Sequence, residues 1–248
     1  MRNSTQKILV SLFPINTDQR VMLSTAQLRR VVPDLTDGGF RSLVLYLERK
    51  HWLLKEQAGS KTFLSITDTG SRALMTKFPA LNPIWDEWSG DWQMLVFLEA
   101  PKGDKQFRYL REQLKNEHAL PLSRGVYLKA KQLSDKLVQE CVDLYDRSVL
   151  IFSVGPLQLG ELRPIVTTYY DLSSLAAVYS SISSTVHGLL SKSGKQNKLS
   201  SKQKVHISSL IDRLINCLTE DPGFVRFYFP GLAGVRQILP PVQQIILL

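Results

Sequence analysis

The stretch from Asp37 to Ile66 limits what this chain can fold into more than any other. Within DGGFRSLVLYLERKHWL, Phe40, Leu43, Val44 and Leu47 recur at i, i+3, i+4 and i+7, the spacing that puts four apolar side chains on one helix face. Ser42, Leu45 and Arg49 fall on the opposite side, with Arg41 and Tyr46 on its flanks. WLLKEQ, AGSK and TFLSI follow at once and read as strand, short Gly-containing turn and strand. The pattern predicts a helix seated by its apolar stripe that runs directly into a hairpin.

Upstream, Ile8, Leu9, Leu12 and Phe13 recur at helical spacing until Pro14. RVMLS is a short strand candidate, and STAQLRRVV is a helix that Ser24 or Thr25 can cap and that ends before Pro33, because the residue before a proline avoids helical geometry. TDTGSRALMTKF adds a helix capped by Thr67, with Leu74 and Phe78 for packing. The order helix, strand, helix, turn, helix, hairpin predicts a winged helix-turn-helix over residues 1–80.

ALNPIWDEWSGD reads as a connector, 81–90. Beyond it WQMLVFLEA, a strand near Ala119–Leu122, SRGVYLKA and SVLIFSV alternate with helices in DKQFRYLREQLKNEHA and LSDKLVQECVDLY. That is the order βαββαβ, which predicts a ferredoxin-like domain over 91–160 with Leu95, Phe97, Val126, Leu150 and Phe152 in its core. The remainder, 161–248, is predicted to be helical: a long helix in YYDLSSLAAVYSSISSTVHGLL, a mobile basic connector SKSGKQNKLSSKQK and an amphipathic helix in VHISSLIDRLINCLTEDPGF. The apolar tail PPVQQIILL must dock on this subunit or on another copy, since left bare it invites aggregation. The fold class expected is α+β.

The formal charge of +9 is unevenly spread, with 12 Lys/Arg against 6 Asp/Glu in residues 1–80 and 10 against 11 in residues 81–155. A cationic N-terminal third is what neutralising a phosphate backbone requires. Cys141 and Cys217 sit in apolar, helix-like surroundings without a CxxC pair, so neither a disulfide framework nor a zinc site is expected. His51, His118, His187 and His206 have no ligand spacing, and there is no GxSxG, Walker loop or GxGxxG. No enzyme and no cofactor are expected. The N-terminal MRNSTQKILVSLFP has a lysine inside its apolar run, and no stretch approaches the ~20 apolar residues of a membrane span. A cytoplasmic protein is the expectation.

FRSLVLYLERKHWLLKEQAGSKTFLSITDTGSRAL resembles the DNA-binding head of the PaaX-type transcriptional repressors, regulators of phenylacetic acid degradation. GDWQMLVFLEAP, SRGVYL and YDLSSLAAVY resemble that family's middle and C-terminal segments in the same order. The resemblance implies a homodimeric repressor of double-stranded DNA, released by an acyl-coenzyme A thioester. It also implies a middle domain similar in fold to the small nuclease-like subunit of CRISPR adaptation. Gly38 and Gly39, the 191–204 segment and the tail after Pro240 depart from the family pattern.

For DNA contact the candidates are Arg41, Ser42, Tyr46 and Arg49 on the third helix, Arg29 and Arg30 on the helix before it for the phosphate backbone, and Gln57, Ser60 and Lys61 on the hairpin. Arginine can donate a bidentate pair to guanine, and tyrosine suits phosphate. Arg124, Tyr127, Arg163, Tyr169 and Tyr170 are candidates for an inducer pocket between domains, with packing as the competing role of the tyrosines. The alternative function is a metal-dependent nuclease using Glu99, with Asp91 and Asp104 nearby, which needs carboxylates that converge on one ion.

Overall fold

The computed structural model describes residues 1–16, 19–99, 103–145, 147–156, 159–193 and 201–247. It is a mixed α and β structure with two antiparallel sheets. Its contacts divide it into two units, 1–83 with 172–248, and 84–171. The expected partition at 80, 90 and 160 differs from this one. The C-terminal helices share a unit with the N-terminal head, and the middle unit extends eleven residues past 160, through Asp171.

In the first unit, α1 spans Asn3–Ser11, β1 Leu23–Ser24, α2 Thr25–Val31, α3 Asp37–Arg49, β2 Leu53–Ala58, β3 Lys61–Ile66 and α4 Asp68–Lys77. The caps expected from Ser24 and Thr67 are present, and Thr36, not among the expected caps, also caps a helix. Ser24 forms a reciprocal capping box with Gln27, Thr36 accepts from the Gly39 amide and Thr67 accepts from the Gly70 amide, satisfying amides that have no partner inside the helix. The three strands lie in the order β1-β3-β2. Ala58 pairs with Lys61 across a two-residue loop, and Gly59 at φ 60 supplies the left-handed backbone such a loop needs at its first position.

The junction of α3 and β2 is built by His51, at φ 55. The His51 amide donates to the Glu48 carbonyl and the Trp52 amide to the Leu47 carbonyl, the paired bonds that end a helix in a left-handed residue. The chain therefore turns from helix to strand with no linker. Gly70 is fixed by the same corner, because a Cβ there would lie 2.4 Å from the Trp52 carbonyl oxygen.

The rest of this unit is helical: α8 Leu172–Ser193, α9 Ser201–Glu220, α10 Val225–Tyr228 and α11 Val235–Leu247. The 191–204 segment is not one connector, since 191–193 close α8 and 201–204 open α9, while 194–200 lie outside the described residues. The apolar tail docks on its own subunit. α11 packs on α8, α9, α1 and α2, burying Val235, Ile238, Leu239, Val242, Ile245 and Ile246. Its buried Gln243 donates to the Phe13 carbonyl at 2.8 Å. Lys7, only 5% exposed, joins α1 to α9 by donating to Ser208 Oγ at 2.9 Å and to Asp212 at 2.7 Å. Burying an ammonium is tolerable only with such partners.

The second unit holds β4 Trp92–Phe97, α5 Lys105–Asn116, β5 Leu120–Ser123, β6 Val126–Ala130, α6 Asp135–Tyr145, β7 Val149–Ser153 and α7 Leu162–Tyr169. Its sheet order is β5-β6-β4-β7. The core is formed by Leu95, Phe97 and Tyr127 with Phe107, Leu110, Leu114, Leu137 and Cys141. Leu95 and Phe97 are buried as expected, but Leu150 and Phe152 are 51% and 46% exposed. Val149 and Ile151 face the core instead. The strand was placed correctly and its phase was not: in an apolar run VLIF no alternation marks the inward side. Asp171 at φ 46 separates α7 from α8, which the sequence reading had not split. Trp85, Trp88 and Trp92 form an edge-to-face chain at 5.6 and 5.5 Å, and Lys131 lies over Trp85.

Candidate nucleic-acid interface

α3 presents two chemically distinct sides. Phe40, Val44 and Leu47 are buried, whereas Arg41, Ser42, Leu45, Tyr46 and Arg49 are exposed. The four residues expected to meet DNA on this helix therefore share an open face. Arg41 Nε donates to the Asp37 carbonyl at 3.3 Å, leaving the rest of its guanidinium fork outward. Leu45, 48% exposed, stands among them and was not among the candidates, although its position opposite the apolar stripe could have identified it. On the hairpin Gln57, Ser60 and Lys61 are exposed, and so is Lys55. The hairpin acid Glu56 is paired with Arg20 at 2.7 Å.

Arg29 and Arg30 do not present free forks. Arg29 donates to Asp37 Oδ1 at 3.2 Å, to the Val32 carbonyl at 2.6 Å and to the Leu35 carbonyl. It staples the turn between α2 and α3, fixing how α3 projects. Arg30 Nη1 is enclosed without a hydrogen-bond partner among the described residues, on a helix that packs against α9 and α11. Both were expected to touch the phosphate backbone. The bonds of Arg29 are local to the turn between α2 and α3, whereas Arg30 sits on a helix packed by α9 and α11, which the local sequence does not show.

The expected inducer residues all lie in the second unit. Tyr170 donates to the His118 carbonyl and stacks edge-on against Tyr169 at 4.8 Å. Tyr127 is buried, which raises its phenol above the ordinary range, while the charges of Arg111 and Arg124 pull it back. Arg124, Tyr127 and Tyr169 are thus neighbours, and Arg111 joins them. Arg163 is exposed on the first turn of α7. A cleft of about 600 Å³ lies elsewhere, in the first unit, between α8 and 229–233, lined by Ala176, Ser180, Ser183, Phe229 and Leu232 among others. It contains none of the five.

The carboxylates of the nuclease alternative do not converge. Asp91 and Glu99 flank β4 at its two ends, roughly 25 Å apart at a strand's rise per residue. Asp91 accepts from Ser89. Asp104 caps α5 and accepts from Tyr145, a bond that holds its carboxyl below the usual range and, with burial, pushes the tyrosine to about 12. Among the described residues no group of three or more His, Cys, Asp or Glu is placed to hold a metal ion. Cys141 and Cys217 are buried free thiols, pushed by burial to about 11 and about 12, so both are protonated and unreactive at neutral pH. Among the described residues no helix is long and apolar enough to cross a membrane.

The sequence matches no protein-family model and no curated protein. Among solved structures it is similar to the uncharacterized protein Rv0674 from Mycobacterium tuberculosis, at 12% identity and a TM-score of 0.47 over 97% of each chain. Nothing is carried from that likeness to this chain.

Proposed function

We propose that the protein is a sequence-specific transcriptional regulator of the PaaX type, a repressor that binds duplex DNA through α3. The observation that carries the reading is the outward face of Arg41, Ser42, Leu45, Tyr46 and Arg49 on a helix whose opposite stripe is buried. The element order from α1 to α4, with a three-stranded sheet ordered β1-β3-β2, supports a winged helix-turn-helix, and the order β5-β6-β4-β7 supports a ferredoxin-like middle unit. In the proposed complex α3 enters the major groove, where Arg41 and Arg49 reach guanine edges, Leu45 meets a thymine methyl and Tyr46 a phosphate. Gln57, Ser60 and Lys61 form the wing contact. The partner molecules are a second copy of the chain and an acyl-coenzyme A-type inducer that favours a head spacing DNA cannot use.

A dimer places two recognition helices on half-sites about one helical turn apart. Selection from random duplexes is therefore expected to return an inverted repeat. On the selected operator Arg41→Ala weakens binding by about 1–3 kcal/mol and relaxes the preference at one base pair per half-site. Equal affinity of Arg41→Ala and the parent chain for that operator overturns the assigned face.

A further inference from the structure

The two helices that cover the sheet of the second unit carry opposite charge. α5 has Lys105, Arg108, Arg111 and Lys115 against the single acid Glu112, whereas α6 has Asp135, Glu140 and Asp143 against Lys136. Arg108, Arg111 and Lys115 follow at i, i+3 and i+7 and are exposed, so they form one stripe. From Lys105 to Lys115 the stripe runs about 15 Å along the helix axis, the axial length of four or five phosphates on one DNA strand at about 3.4 Å each. None of the four cations makes an ion pair among the described residues, and the acid closest in sequence to the helix end, Glu117, is occupied by the amide and hydroxyl of Ser134.

Arg124, exposed on the turn between β5 and β6, adds a further cation to the same unit. It and Arg111 both act on the phenol of Tyr127, a residue of β6. The exposed ring of Tyr169 acts on the same phenol. Guanidinium forks match phosphate geometry in two-point contacts, and an exposed ring offers a stacking surface beside them. A second copy's α6 is a weaker anionic partner, because only Asp135 of its three acids is exposed and unengaged among the described residues. Glu140 accepts from Tyr109 and pairs with Lys136, and Asp143 accepts from Gln139.

We propose that the exposed stripe Arg108, Arg111 and Lys115, with Arg124, is a second nucleic-acid surface, which holds the phosphate backbone of duplex DNA without reading its sequence. The inference rests on the reading of the protein as a DNA binder and adds a contact that α3 and the hairpin do not supply. The test titrates the full chain against a labelled random-sequence duplex by fluorescence anisotropy, between about 50 and 200 mM salt. Arg111→Ala with Lys115→Ala is expected to weaken binding about tenfold and to reduce the slope of log affinity against log salt by about two, one for each lost phosphate contact. The charge-preserving pair Arg111→Lys with Lys115→Arg keeps the parent slope, and circular dichroism reports whether the alanine pair retains its fold. Unchanged affinity and slope in a folded alanine pair overturns the proposal. So does an unchanged slope with loss of self-association in sedimentation, which makes the stripe a contact between copies. If Arg41→Ala leaves operator binding untouched while the α5 pair lowers the salt slope, the reading of α3 fails and this surface stands.

Discussion

Asp221 shows how one residue ties stability to pH. Buried, it accepts from the Tyr179 hydroxyl at 2.7 Å and from the Gly223 amide at 2.8 Å, with no cation bonded to it among the described residues. Burial outweighs those two bonds and pushes the carboxyl up to about 6 from 3.8. The native state thus holds this proton more tightly than the unfolded chain. Its contribution is fully present below about pH 4 and is lost as pH rises through 6, a swing of about 3 kcal/mol at 1.36 kcal/mol per pKa unit. Asp221→Asn is expected to raise the melting temperature at pH 7–8 and to change it little near pH 4. A melting series across that range checks the sign, and a stabilisation at pH 4 equal to that at pH 8 contradicts the assigned cause. The Asp-Pro-Gly turn was legible in the sequence, but its burial was not, because Tyr179, which bonds to it, comes from the distant α8.

At the scale of elements, two glycines near α3 make opposite predictions. Gly38, in the first turn of α3, has nothing within 4 Å of an added Cβ. Gly38→Ala therefore stabilises by about 0.5–1 kcal/mol, by removing backbone freedom from the unfolded chain. Gly70→Ala forces a Cβ against the Trp52 carbonyl and Ile66 Cγ1, and costs about 1–3 kcal/mol. Urea midpoints at unchanged m-value decide both. The helix–hairpin corner was readable because its signals are local: the apolar stripe of α3, the hydroxyl caps and the Gly59 turn. α11 was not read as a helix, although Val235, Ile238, Leu239, Val242, Ile245 and Ile246 keep helical spacing, because Pro240 and Pro241 lie inside it. Proline is costly there for the bonds it removes, and the burial of the flanking apolar face offsets that cost. β7 went out of phase for the opposite reason, an apolar run with too little contrast between its faces.

At the scale of the whole molecule, the first unit is discontinuous. Lys7 bonds to Asp212, Arg236 donates to the Ile15 carbonyl at 2.8 Å and Gln27 to the Leu247 carbonyl at 3.2 Å. Such pairings are more than two hundred residues apart and leave no mark in local periodicity, which is why residues 1–80 read as a free-standing head. A fragment of residues 84–171, with its own core, is expected to unfold in one cooperative transition. A fragment of residues 1–83, deprived of α9 and α11, exposes the apolar sides of α1 and α2 and is not expected to give one. A sharp, reversible melt of the shorter N-terminal fragment contradicts that account. The five α3 side chains were legible as a face. The turn bonds of Arg29 and the enclosure of Arg30 Nη1 show only in the folded unit.

The clasp of Lys7 on Asp212 and of Gln243 on Phe13 has a consequence for biosynthesis. The segment translated first cannot complete its packing until α11 has cleared the ribosomal exit tunnel, so a nascent chain displays the apolar sides of α1 and α2 until α9 and α11 arrive to cover them.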